Sequence, residues 1–319
     1  MIAAVGDLLY LSRADVERLL DVDAMLDALA AALAAYSSGD ASAPPRTAVR
    51  VEGGLLGVMP GYVPGVALES KLVSVFPANH ERGLPSHQGL IALFDERNGS
   101  PLAIMDGTYI TAIRTGGAAA VAARLLARED ARVLAILGAG AQGWSHLETF
   151  PRVRNFQEIR VASRNRARAE ALAGRHPRAR VAESFEEAVR GADVVACCTD
   201  AREPILRRSW LKEGAHVSAV GGTFGPELDA ETVRAARIFV EWRGAVTSAP
   251  PAGAHELQGL DPAGVTEVGQ VVAGTRPGRR SPDEITVYKS TGIAVEDAAT
   301  ARLVFDRAVA TGAGTRLAV

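Results

Sequence analysis

Lysine is scarce in this chain of 319 residues, where it occurs only as Lys71, Lys212 and Lys289. Arginine supplies the other 32 of the 35 basic residues, so ordinary solvent-exposed positive charge comes from arginine. The sequence pattern places Lys71 inside an apolar strand, where such a charge is unexpected. A buried lysine can lose its proton, whereas a guanidinium stays charged. Lys71 is therefore a candidate for proton chemistry.

Cysteine, signal-peptide features and long apolar runs are also lacking. The two cysteines, Cys197 and Cys198, are adjacent, which excludes a disulfide framework, argues against a metal site and indicates small buried residues at a strand end. A net charge of −2 excludes a global basic field for nucleic acid or an anionic membrane. No apolar run reaches the roughly 18–20 residues that span a bilayer. Residues 1–7 lack the basic and apolar regions of a signal peptide, so we expect a cytoplasmic protein.

The most informative stretch is a glycine-rich turn after a short apolar run. Residues 133–137 predict a buried strand, and Gly138, Gly140 and Gly143 follow in the spacing G-x-G-x-x-G. In dinucleotide-binding folds the first glycine permits a tight turn, the second lets the backbone approach a pyrophosphate, and the third lets helix pack on strand. The helix N-terminus adds partial positive charge. The cofactor-binding residues expected in this turn are Gly138, Gly140, Ala141, Gln142 and Gly143.

A second predicted strand, residues 158–162, indicates which dinucleotide is bound. In NAD-binding sites this strand ends in an acidic residue that accepts hydrogen bonds from the ribose hydroxyls. Here the sequence SRNR follows instead, and a guanidinium with a hydroxyl suits a 2′-phosphate. We therefore predict NADP(H), with a solvent-exposed basic turn as the alternative. The further residues assigned to the cofactor are Ser163, Arg164, Asn165, Arg166, Thr199, Lys289 and Ser290.

Two kinds of pattern divide the chain into two domains. Alternating strand patterns separated by turns fill residues 47–106, with Asn98–Gly99 as a predicted hairpin turn. Beyond a helix that is predicted to begin after Gly117, strands and helices alternate, which predicts a mostly parallel sheet. Residues 292–311 predict a closing helix. The expected fold class is α/β, with a Rossmann-type doubly wound sheet over residues 118–301 and a strand-rich α+β domain over residues 1–117 and 302–319.

Several longer motifs run along nearly the whole chain. They are ESKLVSVFP (69–77), GLPSHQG (83–89), LFD (93–95), DGTYITAIRTGG (106–117), EVGQVVAG (267–274) and SPDEITVYKSTGIAVED (281–297). In this order, and with the glycine turn among them, they resemble the motifs of the ornithine cyclodeaminase/μ-crystallin family. The resemblance implies a homodimer formed through the strand-rich, substrate-binding domain. It also implies chemistry on amino acids or their imines with a nicotinamide cofactor.

The resemblance also implies which residues bind the substrate. The family's contacts to the substrate carboxylate fall on Arg46, Lys71 and Arg114 of this chain. A guanidinium binds a carboxylate through two parallel hydrogen bonds, and Lys71 adds a donor that can exchange a proton. The alternatives are a solvent-exposed loop arginine at position 46 and a buried ion pair for Lys71 and for Arg114.

One departure from the family pattern narrows the activity. The family's cyclodeaminases carry an aspartate after a Val-Gly-Gly turn, where it acts as acid and base, and this chain has Thr223 there. A hydroxyl has no accessible pKa near neutrality and cannot replace it. Glu227 and Asp229 follow closely, but we expect them to begin the next helix. The cyclodeaminases also keep NAD bound, whereas the basic strand end suits exchangeable NADP(H).

These features favour NADPH-dependent reduction of imines, with cyclic ketimines such as Δ1-pyrroline-2-carboxylate and Δ1-piperideine-2-carboxylate as substrates. Arg46 and Arg114 would anchor the carboxylate, Lys71 would hydrogen-bond it or supply a proton, and Thr223 would border the nicotinamide. Alternatives in the family are an amino-acid dehydrogenase of the alanine or arginine type and an ornithine cyclodeaminase. The alternative of another class is a crystallin-like protein that binds NADPH and a ligand but catalyses little.

Overall fold

The computed structural model describes residues 7–318, apart from the side chains of His80 and Glu81. Two units are present, and each is built around its own sheet. The first unit ends at Arg114 and resumes at Ile293, and the second comprises Thr115–Gly292. Among the described residues, no helix combines the length and apolar character needed to cross a membrane.

The first unit contains a seven-stranded mixed sheet. Its strands are β1 (Leu8–Leu11), β2 (Thr47–Val51), β3 (Gly54–Val63), β4 (Ala67–Val75), β5 (His87–Phe94), β6 (Pro101–Asp106) and β15 (Thr315–Leu317). Its helices are α1 (Arg13–Leu19), α2 (Val22–Ser38) and α10 (Ala294–Thr311), and α3 (Gly107–Leu126) begins in it. The strand order is β15-β1-β6-β5-β4-β3-β2, in which β1 and β6 are parallel and the other pairs are antiparallel.

Local sequence signals fix several of these elements. Ser12 and Asp15 form a reciprocal capping box at the start of α1, which satisfies backbone groups that a helix end leaves unpaired. The Asp21 carboxylate accepts hydrogen bonds from two backbone N–H groups at the start of α2. Between β5 and β6 the chain turns at Asn98–Gly99 as predicted, with Gly99 at φ +73°, a conformation that favours glycine.

The two faces of the first sheet have opposite environments. On β4, Glu69 and Lys71 are buried and point to the face against which α10 packs. The opposite face exposes large apolar side chains on neighbouring strands. We call it the outer apolar face; it comprises Val49 (68% exposed), Leu56 (49%), Leu72 (42%) and Leu90 (49%). The register confirms that these side chains are adjacent, because Val49 pairs with Leu56 and Leu72 pairs with Leu90.

The second unit contains an eight-stranded sheet that is parallel throughout. Its strands are β7 (Val133–Leu137), β8 (Glu158–Ala162), β9 (Ala179–Val181), β10 (Val194–Cys197), β11 (His216–Ala219), β12 (Arg237–Val240), β13 (Thr266–Glu267) and β14 (Thr286–Lys289). Its helices are α4 (Ala141–Val153), α5 (Arg166–Ala173), α6 (Phe185–Val189), α7 (Ala230–Ala235), α8 (Gly244–Thr247) and α9 (Val268–Val272), together with the rest of α3. The predicted doubly wound sheet is confirmed.

The strand order of the second sheet creates a place for a ligand. The order is β13-β12-β14-β11-β10-β7-β8-β9, so the chain runs outward from β7 to β9 and then returns to β10 on the other side of β7. Ligands of open parallel sheets bind at the carboxyl ends of the strands where the order reverses in this way. Cys197 and Cys198 lie at the end of β10, are buried and form no disulfide, as the sequence predicts.

The start of α3 corrects the sequence-based interpretation. The sequence predicts a helix only after Gly117, but α3 begins at Gly107, directly after β6. Gly116 lies inside α3, where the absence of a side chain allows close packing. A Cβ added to Gly116 would lie 2.7 Å from Ser145 Oγ on α4. Arg114 therefore lies within α3 and not in a loop before it.

The closing helix begins at Ala294, two residues after its predicted start. The whole of α10 belongs to the first unit, whose limits lie at residues 114/115 and 292/293. The sequence patterns place the domain limits at 117/118 and 301/302. Periodicity alone does not reveal that the first turn of α10 carries ionisable side chains that face the first sheet.

Candidate functional site

A group of buried ionisable side chains occupies the first unit between the sheet and α10. Lys71 Nζ donates to Asp297 Oδ2 over 2.6 Å. Arg114 donates from Nε to the other oxygen of Asp297 at 3.0 Å and from Nη1 to Glu296 Oε2 at 2.5 Å. Glu69 completes the group, which we call the cation–carboxylate cluster. Lys71 and Arg114 therefore each form a buried ion pair, which was the alternative given for them in the sequence analysis. The Asp297 carboxylate binds both cations.

Three elements bring these side chains together. The alternation of β4 turns residues 69 and 71 to the buried face. The early start of α3 directs Arg114 to the same place. Glu296 and Asp297 lie in the first turn of α10, where the helix dipole favours negative charge. Sequence reasoning assigned no role to these two acidic residues, although they end the last family motif.

The cluster changes the proton affinity of its members. Burial lowers the pKa of Lys71 to about 8, although the charge of Asp297 opposes the shift. Burial raises the pKa of Asp297, but Arg114 and Lys71 lower it further than burial raises it, so it stays a carboxylate at neutral pH. Lys71 therefore holds a proton that it can release near physiological pH, beside a fixed anion.

His87 indicates where the three predicted cations act together. It lies on the same face of β5 as Ile91, the residue that pairs with Lys71. Desolvation by the surrounding protein lowers the pKa of His87 to about 4, and the charges of Lys71, Arg46 and Arg114 lower it further, in that order. The imidazole is therefore neutral at neutral pH. Arg46, half-buried just before β2, thus lies within electrostatic range of the cluster.

In the second unit, the three glycines of the turn differ in the space around them. A Cβ on Gly138, which has φ +111°, would lie 2.4 Å from Cys198 O, and a Cβ on Gly143 would lie 2.1 Å from Gly138 O. Both positions therefore exclude a side chain for steric reasons. A Cβ on Gly140 would meet nothing within 4 Å. Gly140 is the N-cap of α4 and supplies no side-chain cap, so the open space faces a helix N-terminus.

Basic and polar side chains follow β8 at the next strand end. Arg164 Nη2 donates to Asp200 Oδ1 at 2.9 Å, and both side chains are exposed. Asn165 caps α5 by accepting from the backbone N–H of residue 168, and Ser163 Oγ accepts from the N–H of Asn165. Arg166 is bound by two carboxylates, those of Glu170 and Glu183. Of the two arginines, Arg164 has the weaker competing partner, because an exposed single ion pair contributes little.

Thr199, Lys289 and Ser290 lie at the carboxyl ends of β10 and β14. Glu227, which sequence reasoning expected at the start of a helix, is fully buried and accepts hydrogen bonds from Thr199 N, Thr199 Oγ1 and Gly221 N. Burial raises the pKa of Glu227. Lys289 Nζ donates to Gly221 O at 2.8 Å and pairs with Glu256 Oε1 at 3.0 Å. These contacts join the loops at the carboxyl edge of the sheet.

A second buried glutamate also accepts hydrogen bonds at the carboxyl edge of the second sheet, where the cofactor residues were predicted. Glu241 accepts hydrogen bonds from Ser290 Oγ at 2.5 Å and from the N–H groups of Thr291 and Gly292. Asp229 caps α7, as its sequence position suggested. The sequence analysis expected Glu227 at the start of a helix and assigned no role to Glu241, so the buried hydrogen bonds of both were not predicted. Thr223 is half-buried in the loop that follows β11.

Comparison with known proteins gives consistent matches over nearly the whole chain. The model of the ornithine cyclodeaminase/mu-crystallin family matches residues 7–312. Ketimine reductase mu-crystallin of Mus musculus is 42% identical over 291 residues, which cover 88% of this chain and 91% of that protein.

Two solved structures share the complete fold. Delta(1)-pyrroline-2-carboxylate reductase of Thermococcus litoralis, in complex with NADH and L-proline, has a TM-score of 0.92 and 35% identity, covering 97% of this chain and 100% of that one. An archaeal alanine dehydrogenase dimer with bound NAD has a TM-score of 0.88 and 33% identity, covering 98% of this chain and 100% of that one.

Proposed function

Because the chain belongs to the ornithine cyclodeaminase/mu-crystallin family, we propose that it reduces imines of amino acids with NAD(P)H as the hydride donor. Cyclic ketimines of the Δ1-pyrroline-2-carboxylate and Δ1-piperideine-2-carboxylate kind are the proposed substrates. The observation that carries this proposal is the pair of buried cations, Lys71 and Arg114, that Asp297 holds in one orientation. The similarity to a ketimine reductase and to a pyrroline-2-carboxylate reductase supports it.

The cation–carboxylate cluster suits recognition of a small carboxylate. Arg46 and Arg114 bring guanidinium groups, whose planar N–H pairs match a carboxylate. Asp297 and Glu296 fix the direction of the Arg114 guanidinium, so little side-chain entropy is lost when a substrate binds. His87 adds a neutral polar ring beside these cations and leaves their charge unchanged.

Lys71 is the proposed proton donor. Reduction of a C=N bond requires a hydride at carbon and a proton at nitrogen. Bound NAD(P)H supplies the hydride, and the Lys71 ammonium transfers its proton to the imine nitrogen, leaving a neutral amine. A pKa of about 8 keeps Lys71 protonated at neutral pH and yet allows the transfer. Positioning of an already electrophilic iminium carbon contributes the rest of the rate.

Thr223, in the loop after β11, favours reduction of an imine over elimination of ammonia. Thr223 takes the place at which the family's cyclodeaminases have an acid, and its hydroxyl supplies no proton acceptor near neutral pH. Glu227 does not replace that acid, because its carboxyl is fully buried and its oxygens accept from Thr199 and Gly221. The proposed reaction therefore ends at the reduced amino acid.

The test is the loss of NAD(P)H absorbance with each cyclic ketimine. We expect turnover with at least one of them in the absence of ammonia. A requirement for ammonia or a primary amine with a 2-oxo acid would identify an amino-acid dehydrogenase, the activity of one structural relative. Ammonia release from ornithine without net cofactor oxidation would identify a cyclodeaminase. Binding of NADPH without turnover of any of these compounds would leave only the binding function.

We further propose that NADPH is the preferred cofactor. Ser163 and Arg164 follow β8 where an NAD-binding site has an acid, and no carboxylate of the same strand end replaces it. The competing partner of Arg164 is Asp200, and this exposed ion pair is weak enough for a 2′-phosphate to displace it. The two relatives with solved structures contain NADH and NAD. The quantity to measure for this chain is therefore the ratio of catalytic efficiency with NADPH to that with NADH.

Arg164→Leu is expected to lower kcat/KM for NADPH by about 10- to 100-fold, the value of a lost charge-assisted hydrogen bond. The value for NADH should change by less than about threefold. Arg168→Leu is the matched control, since its side chain is exposed on α5 and outside the predicted site. An unchanged ratio of NADPH to NADH efficiency in the Arg164 variant would refute the assignment.

A homodimer through the outer apolar face is also proposed. Val49, Leu56, Leu72 and Leu90 expose adjacent apolar side chains, and an isolated monomer rarely exposes such a patch. A second copy of the chain is the proposed occupant, because a self-complementary sheet face suits two-fold symmetry. The alanine dehydrogenase with the same fold is a dimer.

Leu72→Glu is expected to convert the dimer to a monomer, because it places a charge inside the proposed interface. Light scattering coupled to gel filtration should give twice the 33.4 kDa chain mass for the wild type and the single mass for the variant. Val309→Glu, an equally exposed apolar position on α10, should leave the dimer intact. A wild-type protein that elutes as a monomer would disprove the interface.

A further inference from the structure

Glu69 is a fully enclosed carboxyl of the cation–carboxylate cluster. It is 2% exposed, and neither of its oxygens accepts a hydrogen bond from any residue that the structure describes. Nearly all buried polar groups in proteins have a partner, so such a group requires an explanation. Its position in the cation–carboxylate cluster suggests a chemical explanation.

Every element that packs around Glu69 limits its contact with water. On β3 it pairs with Gly61, where an added Cβ would lie 2.9 Å from both Glu69 Oε1 and the Cβ of Ala294 on α10. On β5 it pairs with Leu93, a buried apolar residue. Strand and helix backbones therefore enclose the carboxyl, and β3 and β5 contribute no charge opposite it.

The charged groups that face Glu69 are those of the cluster. They are Lys71 on its own strand, Arg114 on α3 and Asp297 on α10, and the neighbouring Glu296 binds Arg114. Both cations are already bound by Asp297, and Glu296 binds Arg114 as well. If all three acids of the cluster were ionised, their charges would exceed those of the two cations by one. The extra buried negative charge would destabilise the folded protein. The cluster is neutral when Glu69 carries a proton.

We propose that Glu69 is the proton reservoir of Lys71: it is a neutral carboxylic acid in the resting protein and returns a proton to Lys71 after each turnover. This proposal rests on the proposed imine reduction. Among the groups that bind or face Lys71, Asp297 is ionised and has no proton to give, and the Arg114 guanidinium keeps its own, so Glu69 is the neighbouring acid that can restore the proton. Side chains two residues apart on β4 project from one face, which brings Glu69 and Lys71 together.

The proton balance of a cycle is complete. The Lys71 ammonium gives one proton to the imine nitrogen and becomes an amine, while the hydride from NAD(P)H reduces the carbon. The neutral Lys71 amine then rotates from Asp297 toward Glu69, and the O–H bond of Glu69 breaks as an N–H bond forms on Lys71, leaving a carboxylate and an ammonium. Solvent returns one proton to Glu69 before the next turnover. Burial and the charge of Asp297 raise the pKa of Glu69 well above its usual value, which is consistent with this resting state.

Glu69→Gln is the main test, because glutamine keeps the size and neutrality of the acid but has no proton to release. We expect kcat for the imine to fall by about tenfold or more with KM unchanged, since the proposed carboxylate anchors are unaltered. The loss should grow with pH, and Glu69→Asp should recover part of it. Glu96→Gln, the same change at an exposed glutamate, is the control. A Glu69→Gln enzyme with wild-type kcat at all pH values would overturn the proposal.

A second measurement needs no turnover and separates this proposal from the proposed function. The infrared difference spectrum of wild type minus Glu69→Gln at neutral pH should contain the C=O stretch of a neutral carboxylic acid. The absence of that band would overturn the proposal even in an active reductase. If the band is present but no imine is reduced, Glu69 is protonated as proposed but the proposed function is wrong. The role of Glu69 as a proton reservoir for turnover is then wrong as well.

The pH dependence of stability gives a further readout. A carboxyl with a raised pKa stabilises the folded state fully below its ordinary pKa of 4.5, and this contribution is lost as the pH rises through the folded-state pKa. The unfolding equilibrium constant of the wild type should therefore rise relative to that of Glu69→Gln by about tenfold per pH unit in this window. Thermal melts at a series of pH values test this, and parallel curves would overturn the proposal. If Glu69→Gln does not fold, the same melts with Glu69→Met, which has a side chain of similar length and no titrating group, give the test.

Discussion

Lys71→Met is expected to lower kcat for imine reduction by about a thousandfold, because it removes the proposed proton donor and keeps the length of the side chain. Affinity for NAD(P)H should be unchanged, since the glycine turn lies in the second unit. Asp297 keeps its contact with Arg114 but loses that with Lys71, so the free energy of unfolding should fall by about 3 kcal/mol. Stopped-flow reduction assays, cofactor titration and thermal melts provide the three measurements.

Lys212→Met provides the matched control within the same chain. Lys212 is partly exposed and pairs with Asp193, whose carboxylate also accepts from two backbone N–H groups. We expect a modest loss of stability and wild-type kcat. A Lys71→Met enzyme that folds, binds NAD(P)H and still reduces imines within tenfold of the wild-type rate would remove Lys71 from the mechanism.

Gly140→Ala is expected to weaken dinucleotide binding by at least about tenfold with little loss of stability. The added methyl group meets no protein atom within 4 Å, so it enters only the space where we place the pyrophosphate. Its φ of −96° is accessible to alanine. Loss of the glycine N-cap should cost under about 1 kcal/mol. Fluorescence titration with NADPH and NADH measures the affinity, and thermal melts measure the stability.

Gly143→Ala serves as the contrasting variant. Its Cβ would lie 2.1 Å from the carbonyl oxygen of Gly138, a backbone atom that has to move. We expect a loss of about 2–3 kcal/mol in the free energy of unfolding. If Gly140→Ala bound NADPH as tightly as the wild type, the glycine turn would not be the pyrophosphate site. If Gly143→Ala were as stable as the wild type, the steric role of Gly143 would be wrong.

The glycine turn is a feature whose local structure the sequence predicts in detail. Gly138, Gly140 and Gly143 have separate roles that follow from their spacing, and the structure shows steric exclusion at the first and third and open space at the second. The two kinds of sheet were predictable for a similar reason. Alternation on β3 to β5 and continuous apolar runs in β7 and β10 each reflect what the faces of a strand contact.

Helix α3 shows where local signals mislead. Gly116 and Gly117 suggest a break, but the helix begins at Gly107 and continues through both. Glycine occurs at position 116 because α4 packs too closely there for a Cβ. Packing between helices overrides a residue's low helix propensity. A sequence read by itself contains no measure of that distance.

The sequence by itself determined the family, the two kinds of sheet, the dinucleotide turn and the choice of Lys71 and Arg114 as chemical candidates, because spacing and residue type act locally. Only the tertiary structure decided which acids hold those cations. Asp297 lies 226 residues beyond Lys71 and 183 beyond Arg114. Glu227, Glu241 and Glu69 likewise gain their properties from burial. Burial and charge pairing depend on segments that are distant in the chain and meet only when it folds.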